Sequence, residues 1–279
     1  MFDPLFKKSI RDLRGQVLGW GLGMGAMLAL TAALFPSIGD LYGDFMGSLP
    51  KEWAGFIGEG DLSTLEGYLS TEFFGYAHVA LAVFAILAGG AAIVGEETDG
   101  TMDLLLAQPV SRVRVAIAKL AALTVSITFI IALMALGLVI ALPVVGVVDS
   151  PGRLANGFLM LLPFLVGMSL AAALFAQFFG SRMAGGTILA GLLVASYMLE
   201  ALSGVNQMLM DLSPAYLTTY FQGQNAVIGE VEWNYLITSL VAIAALAVAN
   251  VVLFVRRDIA TGALVRLPKL HLPGRVPAA

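Results

Sequence analysis

Histidine occurs only at His78 and His271 and cysteine is absent, so the usual carriers of nucleophilic, metal and redox chemistry are nearly missing. A His-Glu-x-x-His zinc motif cannot be written from these positions, and no Gly-x-Ser-x-Gly elbow is present to raise a serine nucleophile. A phosphate-cradling P-loop needs Gly-Lys before Ser or Thr, because the lysine and the loop amides share the phosphate charge. No Gly-Lys pair exists in the chain, which excludes a Walker-type ATP site within it. Glu96 and Glu97 could do acid–base work, but Thr101 stands where membrane proteases with a glutamate pair carry an arginine. What remains is a set of polar residues isolated in apolar surroundings: His78, Asn156, Gln177, Glu200 and Asn250. Such residues mark either a transport path or a hydrogen bond between helices. Glu200, His78 and Gln177 are the candidate path residues, with both readings open for each.

The elements that hold these side chains follow from composition. Of 279 residues, 59% are hydrophobic and 12% charged, and the mean hydropathy is +0.89. A soluble domain is about 25% charged, and no soluble fold could bury this much apolar surface. Apolar stretches run over about 16–35, 76–94, 117–142, 154–179, 185–203 and 234–255. Each suffices for a hydrocarbon core that takes about 20 residues per helix. The expected fold is an all-α, polytopic membrane bundle of about six spans within a single domain, residues 1–258, followed by a Pro-containing tail, 259–279.

Orientation follows from lysine and arginine. Lys7, Lys8, Arg11 and Arg14 precede the first span, Arg112, Arg114 and Lys119 lie between the second and third, and Arg182 lies between the fourth and fifth. Arg256, Arg257, Arg266, Lys269 and Arg275 follow the sixth, which leaves only Lys51 and Arg153 for the opposite side. Both termini are therefore expected in the cytoplasm. The net charge of −4 and the scatter of these residues give no basis for nucleic-acid binding.

The flanking segments carry weaker signals. Phe2, Leu5, Phe6, Ile10 and Leu13, with basic residues between them, predict an interfacial amphipathic helix that feeds the first span through a bend near Gly15. The acidic outer loop after the first span pairs Ser63 with Glu66 at capping-box spacing. With Leu62, Leu65, Leu69 and Phe73 at helical intervals, it predicts a helix along the outer surface. Tyr216, Tyr220 and Phe221 in the segment 204–232 read as interfacial anchors. Gly19 with Gly23 and Gly21 with Gly25 form two small-xxx-small pairs suited to close helix packing, within one copy or between two.

The most informative stretch is Gly95 to Arg112, between the second and third spans. Thr98 or Thr101 can cap a short helix, Gly100 allows a sharp turn before it, Leu104 to Leu106 supply an apolar face, and Pro109 stops it. An exposed Leu-Leu-Leu between charges calls for a partner. This stretch resembles the coupling helix of ABC-2 type permeases, the membrane subunits of ABC exporters. Glu97, Gly100, Thr101, Leu104, Leu105, Pro109, Ser111 and Arg112 match that pattern in order, and Glu96 precedes it. The resemblance extends to the amphipathic N-terminus, to Phe35-Pro36-Ser37 and to Phe254-Val255-Arg256-Arg257-Asp258, so it covers nearly the whole chain.

The resemblance implies a dimerising permease, with a second copy of the chain or a homologue. Each copy would dock its coupling helix into a groove on a separate ABC ATPase subunit that holds the ATP and Mg2+. This chain itself would need no cofactor, metal or catalytic residue. It further implies export from the cytoplasm across the plasma (inner) membrane of a prokaryote. An apolar or amphiphilic substrate, whether drug, lipid or peptide, suits spans with so few charges. An ATP-independent carrier or channel and a non-transporting membrane scaffold are the alternatives.

Overall fold

The computed structural model describes residues 4–47, 62–102, 105, 107, 109–146, 148, 150–204 and 206–257, with side chains left undescribed over 39–47. Six helices are long and apolar enough to cross a membrane, and no strand occurs among the described residues. We number them α1 (Pro4–Gly47), α2 (Leu65–Ala92), α3 (Arg112–Val145), α4 (Pro151–Phe179), α5 (Arg182–Ser203) and α6 (Trp233–Arg256).

Local chemistry sets the ends of these helices. Ser111 and Ser181 accept from the amides of Arg114 and Ala184 and so cap the exposed donors that open α3 and α5. Pro151 occupies the first turn of α4, where its missing N–H costs nothing, and Gly180 ends the helix at φ +64°. Pro143 falls in the last turn of α3, which Gly146 closes at φ +86°.

The amphipathic N-terminus and the first span form one continuous helix, Pro4–Gly47, that runs through Gly15. One sequence expectation is corrected here. The outer helix does not lie on the surface: Leu65–Leu69 runs through a wide turn, Ser70–Phe74, directly into the rest of α2. Its leucines pack inward, with Leu65 and Leu69 in the main core. Its cap is Thr64, which accepts from the Gly67 amide, and not Ser63. Glu66 is buried and instead accepts from the Ser150 amide just before α4.

Packing runs α1 against α3, α2 against α4, and α4 against α5 and α6. Glycine permits several of these approaches. A methyl group on Gly137 of α3 would strike the Gly25 carbonyl of α1, and one on Gly21 would meet Leu133. On Gly89 of α2 it would strike the Ser169 carbonyl of α4. Gly21 and Gly25 are thus an internal seam, whereas Gly19 and Gly23 have nothing within 4 Å and face away from the described bundle. The connection between α5 and α6 folds back into the structure. Its helix Gly223–Ile228 sits on α4, with Val227 against Gly157.

Candidate functional site: a polar clamp at the basic end

The turn after α2 begins with a short helix, Val94–Thr98, and reverses at Gly100, whose φ of +70° favours glycine. Met102 and Leu105 follow as helical residues, and the Leu105 amide donates to the Thr101 carbonyl at 3.2 Å. Both side chains are buried with Ile93, Val115, Ala116 and Phe254 in a small second core separate from the main one. Leu105 therefore faces its own bundle and is not part of an outward ridge. Asp103, Leu104, Leu106 and Gln108 lie outside the described residues, so the expected role of Leu104 has no structural description. Thr98, Thr101, Ala107, Pro109 and Ser111 are exposed.

The charges of this segment also turn inward. The Lys8 ammonium of α1 donates to Glu96 Oε1 at 2.6 Å, and the Lys119 ammonium of α3 donates to the same oxygen at 2.9 Å. Thr101 donates its hydroxyl to the other carboxylate oxygen, Oε2. Burial by itself would raise the Glu96 pKa, but hydrogen bonds from Lys8, Thr101 and Lys119 outweigh it and hold the group down at about 2. Lys119 is only 7% exposed, so Glu96 is the charge that makes its burial tolerable.

A second set of bonds starts from Arg257, just past α6, whose guanidinium reaches both Glu97 Oε2 and the Gln177 carbonyl near the end of α4. Arg112, the first residue of α3, donates to the Arg257 carbonyl at 3.0 Å and approaches that of Val255 at 3.5 Å. Asp99 and Arg182 form a looser, exposed pair at 4.0 Å. The short segment after α2 is thus tied to α1, α3, α5 and the end of α6 by charge, and to α4 through Arg257.

Just inside the clamp, Gln177 and Asn250 meet in the apolar interior. Gln177 Nε2 donates to Asn250 Oδ1 at 2.7 Å, while Asn250 Nδ2 donates to the Leu170 and Leu246 carbonyls at 3.0 and 2.8 Å. This is a bond between α4 and α6, so the helix–helix reading applies to Gln177. Glu200 and His78 are elsewhere: both line a cavity of about 630 Å³ at the opposite end of the bundle, near the end of α5. Asn156 is exposed.

Tyr216 and Phe221 are buried rather than interfacial, and Phe221 stacks on His78 with ring centroids 4.2 Å apart. Sequence periodicity could not find that contact, because it joins α2 to an irregular connection. Likewise Lys8, Lys119 and Arg257 were legible as topology markers, with Lys8 also in the amphipathic N-terminus and Arg257 in the family pattern, but nothing in the sequence paired them with Glu96 and Glu97.

The model of one protein family matches residues 9–254; it is described as the C-terminal domain of the multidrug efflux system permease Rv1217c. No curated protein matches the chain closely enough to count. With six membrane-crossing helices and a match over nearly the whole described length, the chain belongs to this ABC-2 type family of efflux-system permeases and is a multi-pass transport protein.

Proposed function

We propose that the chain is the membrane subunit of an ATP-driven exporter, and that the segment Glu96–Arg112 is where a separate ABC ATPase subunit acts on it. The observation that carries this reading is the clamp: one short surface segment is ion-paired to α1, α3, α5 and the end of α6. A displacement applied to its exposed residues, such as Ala107 and Pro109, is passed to α3 and the end of α6 through short, largely buried charge pairs, to α1 through a half-exposed one and to α5 through a looser one, rather than absorbed in a flexible loop. Glu96, Glu97 and Arg112 then act as the linkage between segment and bundle. Gly100 and Thr101 shape the turn, Leu105 seats it, and Ser111 starts α3. Leu104 remains a candidate for the partner-facing contact.

On this reading the basic end of the bundle faces the cytoplasm of a prokaryotic cell, with both termini on that side of its plasma membrane, as the lysine and arginine distribution favours. Residues 1–258 form the transmembrane domain. Two copies, or one copy with a homologue, enclose the path, ATP and Mg2+ belong to the partner, and the cargo is apolar or amphiphilic.

The test is copurification from mild detergent of the tagged chain beside Ala107→Arg, which changes an exposed residue and leaves the buried clamp intact. An ATPase subunit that accompanies the native chain and is lost with a folded Ala107→Arg chain supports the reading. If no nucleotide-binding protein accompanies either chain, the exporter reading is wrong, and transport by the chain alone in liposomes becomes the expectation.

A further inference from the structure

The cavity of about 630 Å³ at the end opposite the clamp combines three features that a passive opening in a bundle would not need. The first is charge. Glu72 of α2, Glu200 of α5 and Glu232 before α6 line it, and no lysine or arginine does among the described residues. Glu200 lies beside the hydroxyls of Thr218 and Thr219. No three carboxylate or imidazole groups among the described residues are placed to hold a metal ion, so the negative charge is not arranged for a bare multivalent cation.

The second feature is aromatic. Tyr76, Tyr197, Phe221 and Tyr235 line the same space from α2, α5, the connection and α6. Ring faces beside carboxylates attract cations with delocalised or apolar bodies.

The third is an unused acceptor. His78 is 4% exposed and lines the cavity, stacked on Phe221 and edge-on to Phe164 and Tyr197. Its Nδ1 lies 3.1 Å from the Phe74 carbonyl, which can only accept, so Nδ1 carries the hydrogen. In the neutral ring Nε2 is then a bare lone pair, and it is buried with no hydrogen-bond partner. A buried acceptor without a donor is an anomaly in a folded protein. A ligand N–H would remove it.

We propose that this cavity binds organic cations of one class, protonated amines carrying a flat aromatic body: the Glu200 and Glu72 carboxylates meet the charge, His78 Nε2 accepts an N–H, and the tyrosine rings hold the body. Residues of this chain alone line the cavity, so binding there does not depend on the ATPase partnership. Binding without ATP or partner therefore stands or falls separately from the exporter reading. If that reading holds as well, the position of the cavity at the end far from the clamp makes it a stage at which an amine cargo is held before release.

The experiment is equilibrium binding of radiolabelled tryptamine to the full chain, purified in detergent at neutral pH. Tryptophol, the same ring with a hydroxyl in place of the ammonium, is the neutral control. Saturable tryptamine binding at one site per chain is expected, with tryptophol at least about tenfold weaker, the equivalent of about 1.4 kcal/mol. Glu200→Gln, which keeps shape and removes charge, is expected to weaken tryptamine at least about tenfold and tryptophol hardly at all. His78→Phe keeps the stack on Phe221 and removes the acceptor, and is expected to weaken tryptamine about threefold or more. Glu200→Gln decides the matter even if His78→Phe fails to fold. The proposal is overturned if a monodisperse native chain shows no saturable tryptamine binding, if tryptophol binds as tightly, or if folded Glu200→Gln binds tryptamine unchanged.

Discussion

Replacing Glu96 by Gln removes the charge that Lys8 and Lys119 share while keeping the side-chain volume. The Lys119 ammonium, 7% exposed, then loses its anion and keeps only a neutral amide oxygen in its place. Stranding one member of a buried pair costs about 3–5 kcal/mol. Glu96 retains 12% exposure and Lys8 41%, so water reaches part of the cluster and the lower figure, about 3 kcal/mol, applies. That is a change of about 150-fold in the folding equilibrium. Lys119→Met alone leaves Glu96 with Lys8 and Thr101 and should cost less, about 1–2 kcal/mol.

The double variant Glu96→Gln, Lys119→Met strands no buried charge, since the half-exposed Lys8 keeps Asp12 at 3.5 Å, and it should recover most of the loss, giving a coupling energy of at least about 2 kcal/mol. SDS-titrated unfolding of the purified chain, followed by circular dichroism, measures all four corners of the cycle. If the double variant loses the sum of the two single losses to within about 0.5 kcal/mol, Glu96 does not sustain the burial of Lys119 and the clamp argument fails.

Three further outcomes are expected. Because the Glu96 pKa is lowered from 4.5 to about 2, its contribution is complete above pH 4.5 and is lost as pH falls through about 2. The stability difference between the native chain and Glu96→Gln, measured at pH 7, 4 and 2.5, should narrow in that order. Asn250→Leu leaves the Gln177 amide without its partner in the apolar interior and should cost about 1–2 kcal/mol, with much of the loss recovered in Gln177→Leu, Asn250→Leu. Gly137→Ala and Gly89→Ala each force a backbone carbonyl away and should cost about 1–3 kcal/mol in unfolding assays, whereas Gly23→Ala should leave the unfolding of the isolated chain unchanged.

The six helices were legible because membrane spanning is decided by runs of apolar residues, a local property that α3 and α6 display with hardly an interruption. The ends of α1 and α2 were less so. Hydropathy falls where a helix leaves the apolar region, but helical hydrogen bonding need not stop there, and α1 continues through Pro36 to Gly47. The clamp was half legible. Glu96, Glu97 and Arg112 stood out by position and by resemblance to a family pattern. Their partners did not, because Lys8 and Arg257 lie 88 and 160 residues away from them and only tertiary packing brings them in. Leu105 misled for a related reason: an apolar residue between charges reads as exposed until a second small core, with Phe254 from the far end of the chain, is found to receive it. His78 and Glu200 were separate polar positions in the sequence. The fold-back connection carrying Phe221 makes them walls of one cavity.

The clamp also fixes an order of events during synthesis. Glu96 can meet Lys8 and then Lys119 as soon as α3 is inserted. Glu97 must wait for Arg257, 160 residues later, or about 8–30 s at ordinary translation rates. Until then a carboxylate with a buried place in the finished protein has no cation and stays at the membrane surface in water. Closure at the basic end is therefore a late step in folding. A chain that ends before the residue after α6 has Glu97 in place but lacks the guanidinium that closes the cluster.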